Sequence, residues 1–148
     1  MKLAEGLLLR ADLTKKIEHL LNRIRPVLIT QDQKIPQEDP VKLLAKLRKA
    51  NEDLETIIIR INKTNNETKL DNGMILMEAL AKRDALKLFA EKLRIIRHGS
   101  QLNNNGYGSQ KAVLDIKALQ IEIDQTGRAF REIDNKIQEA NWLTELKE

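Results

Sequence analysis

Residues 64–84 read TNNETKLDNGMILMEALAKRD, and the fold turns on how this stretch is read. Asn62, Thr64, Asn65 and Asn66 carry side chains that compete for backbone hydrogen bonds, so a helix entering here is expected to fray or end. Asp71-Asn72-Gly73 spells a turn, with glycine supplying the positive φ that such turns require. Two geometries stay open around it. The segment is either a plain link between antiparallel helices or a very short β-hairpin that pairs residues 68–70 with 74–76. Residues 112–114 are a second candidate for a short β element.

Outward from the turn, helical patterns run in both directions. On the C-terminal side Ala79, Leu86, Phe89, Leu93 and Ile96 recur at heptad spacing, and His98-Gly99 ends the pattern with a glycine. On the N-terminal side Leu43, Leu47, Ala50, Leu54, Ile57 and Ile61 alternate at spacings of four and three. Asp39-Pro40 starts that helix, because aspartate caps the free amides and proline at the first helical position loses no useful donor. It is expected to run from Pro40 to about Asn62. Ile57, Ile58 and Ile59 widen its apolar face, which predicts a second contact surface.

Two more helices complete the chain. From Lys2 to about Arg25, Leu3, Leu7, Leu13, Ile17, Leu20, Leu21 and Ile24 form a stripe that Pro26 stops. From Asp115 onward, Ile116, Leu119, Ile123, Thr126, Phe130, Ile133, Ile137 and Ala140 form another. Gly127 within it predicts the close approach of a neighbouring helix, and Trp142 is expected to be pinned at the end. Residues 26–39 read as a loop whose Val27, Leu28, Ile29 and Ile35 pack over the helices. Residues 99–114 read as a polar, glycine-punctuated loop carrying Tyr107 at its tip.

A chain of 148 residues suits one helical domain, able to bury roughly 68–70% of its unfolded surface. Charged residues make up 32% and aromatics 3%, a composition of long amphipathic helices and not of sandwiches or barrels. The absence of cysteine excludes disulfides, thiol nucleophiles and cysteine-ligated metals. Leu7-Leu8-Leu9 between Glu5 and Arg10 is too short for a signal peptide or a membrane span, so a cytoplasmic protein without a transmembrane segment is expected.

No Ser/His/Asp set, phosphate-cradling glycine loop or HExxH motif occurs. Neither His19 nor His98 follows a glutamate at the spacing of a carboxylate-bridged metal bundle. A non-enzymatic protein without cofactor or metal follows. Lys82, Arg83, Lys87, Lys92, Arg94 and Arg97 give the third helix its dense positive charge, the composition of a phosphate-binding face and equally of a solvated helix. Lys82, Lys87, Lys92, Arg94 and Arg97 are the residues through which nucleic acid or an anionic membrane would be bound.

KLAEGLLLRADL at the start, INKTNNETKLDNGMILMEALAKRD in the middle and IQEANWLTEL at the end together resemble the septicolysin family of small bacterial proteins, over nearly the whole chain. The most specific part is the order Asn62, Thr64, Asn65, Gly73, Ala79, Leu80, Arg83, Asp84. Two positions depart from the family pattern: Ile75 stands where Ser or Thr is usual, leaving Glu78 without its capping-box partner, and Gly6 replaces a more usual alanine. The start of the third helix is therefore expected to be looser. The resemblance implies a cytolysin.

The fold expected is mainly α, an antiparallel four-helix bundle or a pair of coiled-coil hairpins, with a homo-oligomer favoured by the broad Ile57–Ile59 face. Asn62, Thr64, Asn65, Arg83 and Asp84 form the candidate ligand-binding set. In one reading the amides and hydroxyl orient a ligand while Arg83 neutralises an anion. In the other these groups satisfy turn amides and one another.

Overall fold

The computed structural model describes residues 1–31, 34–100 and 111–148. The chain is mainly α. Its helices are α1 (Leu3–Ile24), α2 (Pro40–Glu67), α3 (Leu76–Gly99) and α4 (Ile116–Leu143), with a short 3₁₀ turn at Arg25–Val27 after α1. No sheet occurs among the described residues, only two isolated antiparallel bridges, Lys69 with Ile75 and Lys2 with Glu145. The first is the short hairpin reading of the central turn, with Gly73 at φ +80° and Leu70 N–H donating to Met74 O at 2.9 Å. No bridge forms at 112–114. Tyr107 lies outside the described residues.

Two compact units divide the chain: Met1–Thr68 with Asn141–Glu148, and Lys69–Ala140. In the first, α1 and α2 form an antiparallel hairpin. Leu20, Ile24, Leu43 and Ala50 make its buried cluster, with Ile17, Val27 and Leu47 packed against it. In the second, α3 and α4 run antiparallel, joined by a cluster of Leu93, Leu119 and Ile123 and by the pairing of Arg83 with Asp134. The stripes of α2 and α4 face inward as their spacing requires: Leu43, Ala50, Ile57 and Ile61 are buried on one, Leu119, Ile123, Ile133 and Ile137 on the other.

The caps follow the sequence. Asp39 Oδ1 accepts from Val41 N at 2.9 Å, and Asp115 Oδ1 accepts from Ala118 N at 3.1 Å. At the start of α3 only half of a capping box is available, since Ile75 has no side-chain acceptor; Glu78 Oε2 accepts from Ile75 N at 3.2 Å. The glutamate reaching back and the bridge with Lys69 hold Ile75 at the start of α3.

Several expectations are corrected. α2 continues to Glu67: Thr64 stays in the helix with its hydroxyl donating to Arg60 O at 2.7 Å and accepting the backbone N–H of Lys147 at 3.0 Å. In the 26–39 segment Leu28, Ile29 and Ile35 are exposed, and only Val27 packs. Trp142 is also exposed, not pinned. Around Gly127, a Cβ would meet only Arg131 Nη1 of its own helix, at 3.4 Å, so no neighbouring helix requires the glycine. On α3 the core takes Ala79, Ala90 and Leu93, whereas Phe89 and Ile96 of the expected stripe are exposed.

Candidate functional site

Thr64 is the polar residue buried most completely, at 0% exposure. Its hydroxyl donates to Arg60 O and accepts the backbone N–H of Lys147 at 3.0 Å, so both of its hydrogen-bonding roles are filled. The partner is the C-terminal segment Thr144–Glu148, an extended strap over the α1–α2 hairpin. Leu3 N donates to Thr144 O at 2.9 Å, and Leu146 N donates to Met1 O at 2.8 Å. Arg60 Nε donates to Lys147 O at 2.9 Å, Lys63 Nζ to Glu148 O at 2.8 Å, and Lys147 Nζ pairs with Glu67.

The candidate residues fall in both units. Asn62 is exposed, Asn65 half-buried, and both stand on α2 beside Thr64 in the first unit. Arg83 and Asp84 stand on α3 in the second. There Arg83 Nε and Nη2 both donate to Asp84 Oδ1, at 3.0 and 2.8 Å, and Nη1 reaches Asp134 Oδ1 on α4 at 3.5 Å. The guanidinium charge is thereby shared between two carboxylates of its own unit. An arriving anion would have to displace them.

Of the basic residues, Lys82, Lys87, Lys92 and Arg94 are exposed, and among the described residues none of them makes an ion pair. Arg97 is half-buried, and its Nε is buried without a hydrogen-bond partner among the described residues. Lys87 and Arg94, seven residues apart, share one flank of α3. Lys92 instead lies within a second apolar face, three or four residues from each of Leu88, Phe89, Ile95 and Ile96, which are all exposed. α3 therefore has two apolar sides, the core side and an outer one. The outer side was legible in the Leu88-Phe89 and Ile95-Ile96 doublets, which one heptad stripe cannot absorb.

Sequence reasoning also missed a groove between α1 and α2, lined by Leu9, Leu13, Asp53, Thr56, Ile57 and Arg60, with a volume of about 240 Å³. Ile57 is buried at its floor, while Ile58 and Ile59, the next two residues of the isoleucine run, are exposed. Three carboxylates near the straps are held below the usual carboxylate range by cations that donate hydrogen bonds to them: Glu67 by Lys147, Asp71 by Lys136, and Glu145 by Lys2 and the N-terminal ammonium. No cluster of three or more His, Asp or Glu side chains suited to a metal ion occurs among the described residues.

Comparison with known proteins corrects the septicolysin resemblance. A family model described as a family of unknown function (DUF6847) matches residues 10–146, and no curated protein matches the chain. Among the described residues no helix is long and apolar enough to cross a membrane. A crystal structure of a functionally unknown conserved protein from Corynebacterium diphtheriae is similar, with a TM-score of 0.92 and 27% identity over 99% of each chain. The match runs from within α1 through α4, well over half of the chain, and the chain belongs to the family of unknown function DUF6847.

Proposed function

We propose that this is a non-enzymatic interaction protein that self-associates through apolar side chains its own hairpins leave uncovered. The observation that carries this reading is the outer face of α3, where Leu88, Phe89, Ile95 and Ile96 are exposed at 55, 47, 63 and 44%. A contiguous exposed apolar patch marks an interaction surface, whereas apolar residues scattered singly over a surface need no partner. Ile58 and Ile59 on α2 are a second, smaller patch of the same kind. Light scattering tests the reading: the wild-type chain is expected as a defined oligomer, and Phe89→Glu with Ile96→Glu is expected to lower its mass. A wild-type chain that stays monomeric overturns it.

Lys82, Lys87, Lys92 and Arg94, exposed and without an ion pair among the described residues, favour a second reading, binding of nucleic acid or another polyanion. Its signature is a mass that rises with short nucleic acid and falls back in salt, since counterion release makes such binding strongly salt-dependent. A mass indifferent to both removes it. The ligand-site reading of Asn62, Thr64, Asn65, Arg83 and Asp84 draws less support, because Thr64 and Arg83 already spend their polar groups on neighbours within their own units.

A further inference from the structure

Two pairs of segments in the chain resemble one another. MKLAEGLLLRADL (residues 1–13) and MILMEALAKRDAL (residues 74–86) align at a constant spacing of 73 residues, sharing Met, Leu, Glu, Leu, Arg and Leu. INKTNNETKL (61–70) and IQEANWLTEL (137–146) align at a spacing of 76, sharing Ile, Asn, Thr and Leu. Sequence likeness at this level gains its force from the geometry that accompanies it.

Each aligned pair does the same structural work. Lys2 and Ile75 are the extended residues before α1 and α3, at φ −74° and −72°, and each has its N–H taken by the glutamate three residues on, Glu5 or Glu78. Leu3 and Leu76 follow, both 0% exposed. Asp39 and Asp115 cap α2 and α4. The two bridges are also equivalent: Lys2 pairs with Glu145 as Ile75 pairs with Lys69. Leu146 N donates to Met1 O at 2.8 Å as Leu70 N donates to Met74 O at 2.9 Å. One residue beyond, Arg60 Nε holds Lys147 O as its counterpart Lys136 Nζ holds the Asp71 carboxylate.

We infer that the chain is a tandem duplication of one unit, a helical hairpin followed by a Thr-x-Leu strap, in which each strap docks on the start of the other copy. The strap of the first copy, at Lys69–Leu70, belongs to the unit that holds α3. The strap of the second copy, at Thr144–Leu146, belongs to the unit that holds α1. Residues 146–148 beside Met1 then correspond to residues 70–72 beside Met74. Lys147 and Glu148 stand as Asp71 and Asn72 do at the first two positions of the Asp71-Asn72-Gly73 turn. The third position of that turn is Gly73 at φ +80°, so glycine is the residue suited to link Glu148 to Met1 in the same geometry.

A circular permutant tests this on the full sequence. It begins at Met74, joins Glu148 to Met1 through one inserted glycine, and ends at Gly73. Its helical circular dichroism is expected to match wild type, with the unfolding midpoint shifted by no more than about 5 °C. In a second experiment the full chain carries a protease site within residues 71–73 and is cut after folding. Because each half holds the other's strap, the two fragments are expected to elute together. A permutant that does not fold, or cut halves that part on the column, overturns the inference.

Discussion

Leu146 lies over Gly6: a Cβ on Gly6 would stand 3.0 Å from Leu146 Cδ2 and 3.3 Å from Cδ1, with Ile57 Cδ1 behind at 3.6 Å. The missing methyl of Gly6 is thus the seat of the C-terminal strap. Alanine at residue 6 gains about 1 kcal/mol of helix propensity and meets crowding of similar size. Gly6→Ala alone is expected to change stability by less than about 1 kcal/mol, and to stabilise by about that amount when Leu146→Ala has opened the space. Urea unfolding of the single and double variants checks this. Equal effects in both backgrounds would mean that the two residues are not coupled.

Gly127 presents the opposite case, a helical glycine whose Cβ would meet only the flexible end of Arg131. Gly127→Ala is expected to stabilise by about 1 kcal/mol and to raise the melting temperature by about 3 °C. A fall in melting temperature would indicate a close packing partner at that position.

Thr64 joins α2 to the strap through the Lys147 amide. Thr64→Val keeps the volume and leaves that N–H unsatisfied, at an expected cost of about 1–3 kcal/mol, whereas Thr64→Ser keeps the hydroxyl and costs less. Amide hydrogen exchange supplies the specific readout. Leu146 and Lys147 should lose protection in Thr64→Val, while Leu70 on the internal strap should not.

The residues on either side of Thr64 show how much was legible in the sequence. Stripes on α2 and α4, the caps at Asp39 and Asp115 and the turn at Gly73 all follow from local spacing and local chemistry, and all are found. The end of α2 does not. Thr64 and Asn65 read as helix breakers because their side chains can satisfy the backbone in other ways, but the partner that keeps Thr64 in the helix is Lys147, which no local window contains. Exposure was the other blind spot. Phe89 and Ile96 fit a heptad stripe, yet Ala79, Ala90 and Leu93 take the core side, and an apolar doublet leaves the choice of neighbour open. Arg83 and Asp84 were legible as a pair, and Asp134, the second carboxylate on the guanidinium, was not.

Acid should weaken the ion pairs that hold the straps. Glu67, Asp71 and Glu145 have folded values below their unfolded ones, so their contribution is present above the unfolded carboxylate range and is lost as pH falls through the depressed values. Stability is expected to be level from neutrality to about pH 5 and to decline below about pH 4. All three groups are solvent-exposed pairs, so salt at neutral pH should reproduce part of the loss. Unfolding curves at pH 7 and pH 3 check this, and greater stability at pH 3 would contradict it.

Whether the outer face of α3 is a working surface is decided by solution mass. The chain weighs 17.0 kDa, and light scattering on the purified wild-type protein at low and high salt is expected to give one defined multiple of that mass in both. The Phe89→Glu, Ile96→Glu variant, folded by circular dichroism, is expected to fall to a lower multiple. A wild-type protein found at 17.0 kDa across the concentration range would show that Leu88, Phe89, Ile95 and Ile96 face solvent without a second copy to cover them.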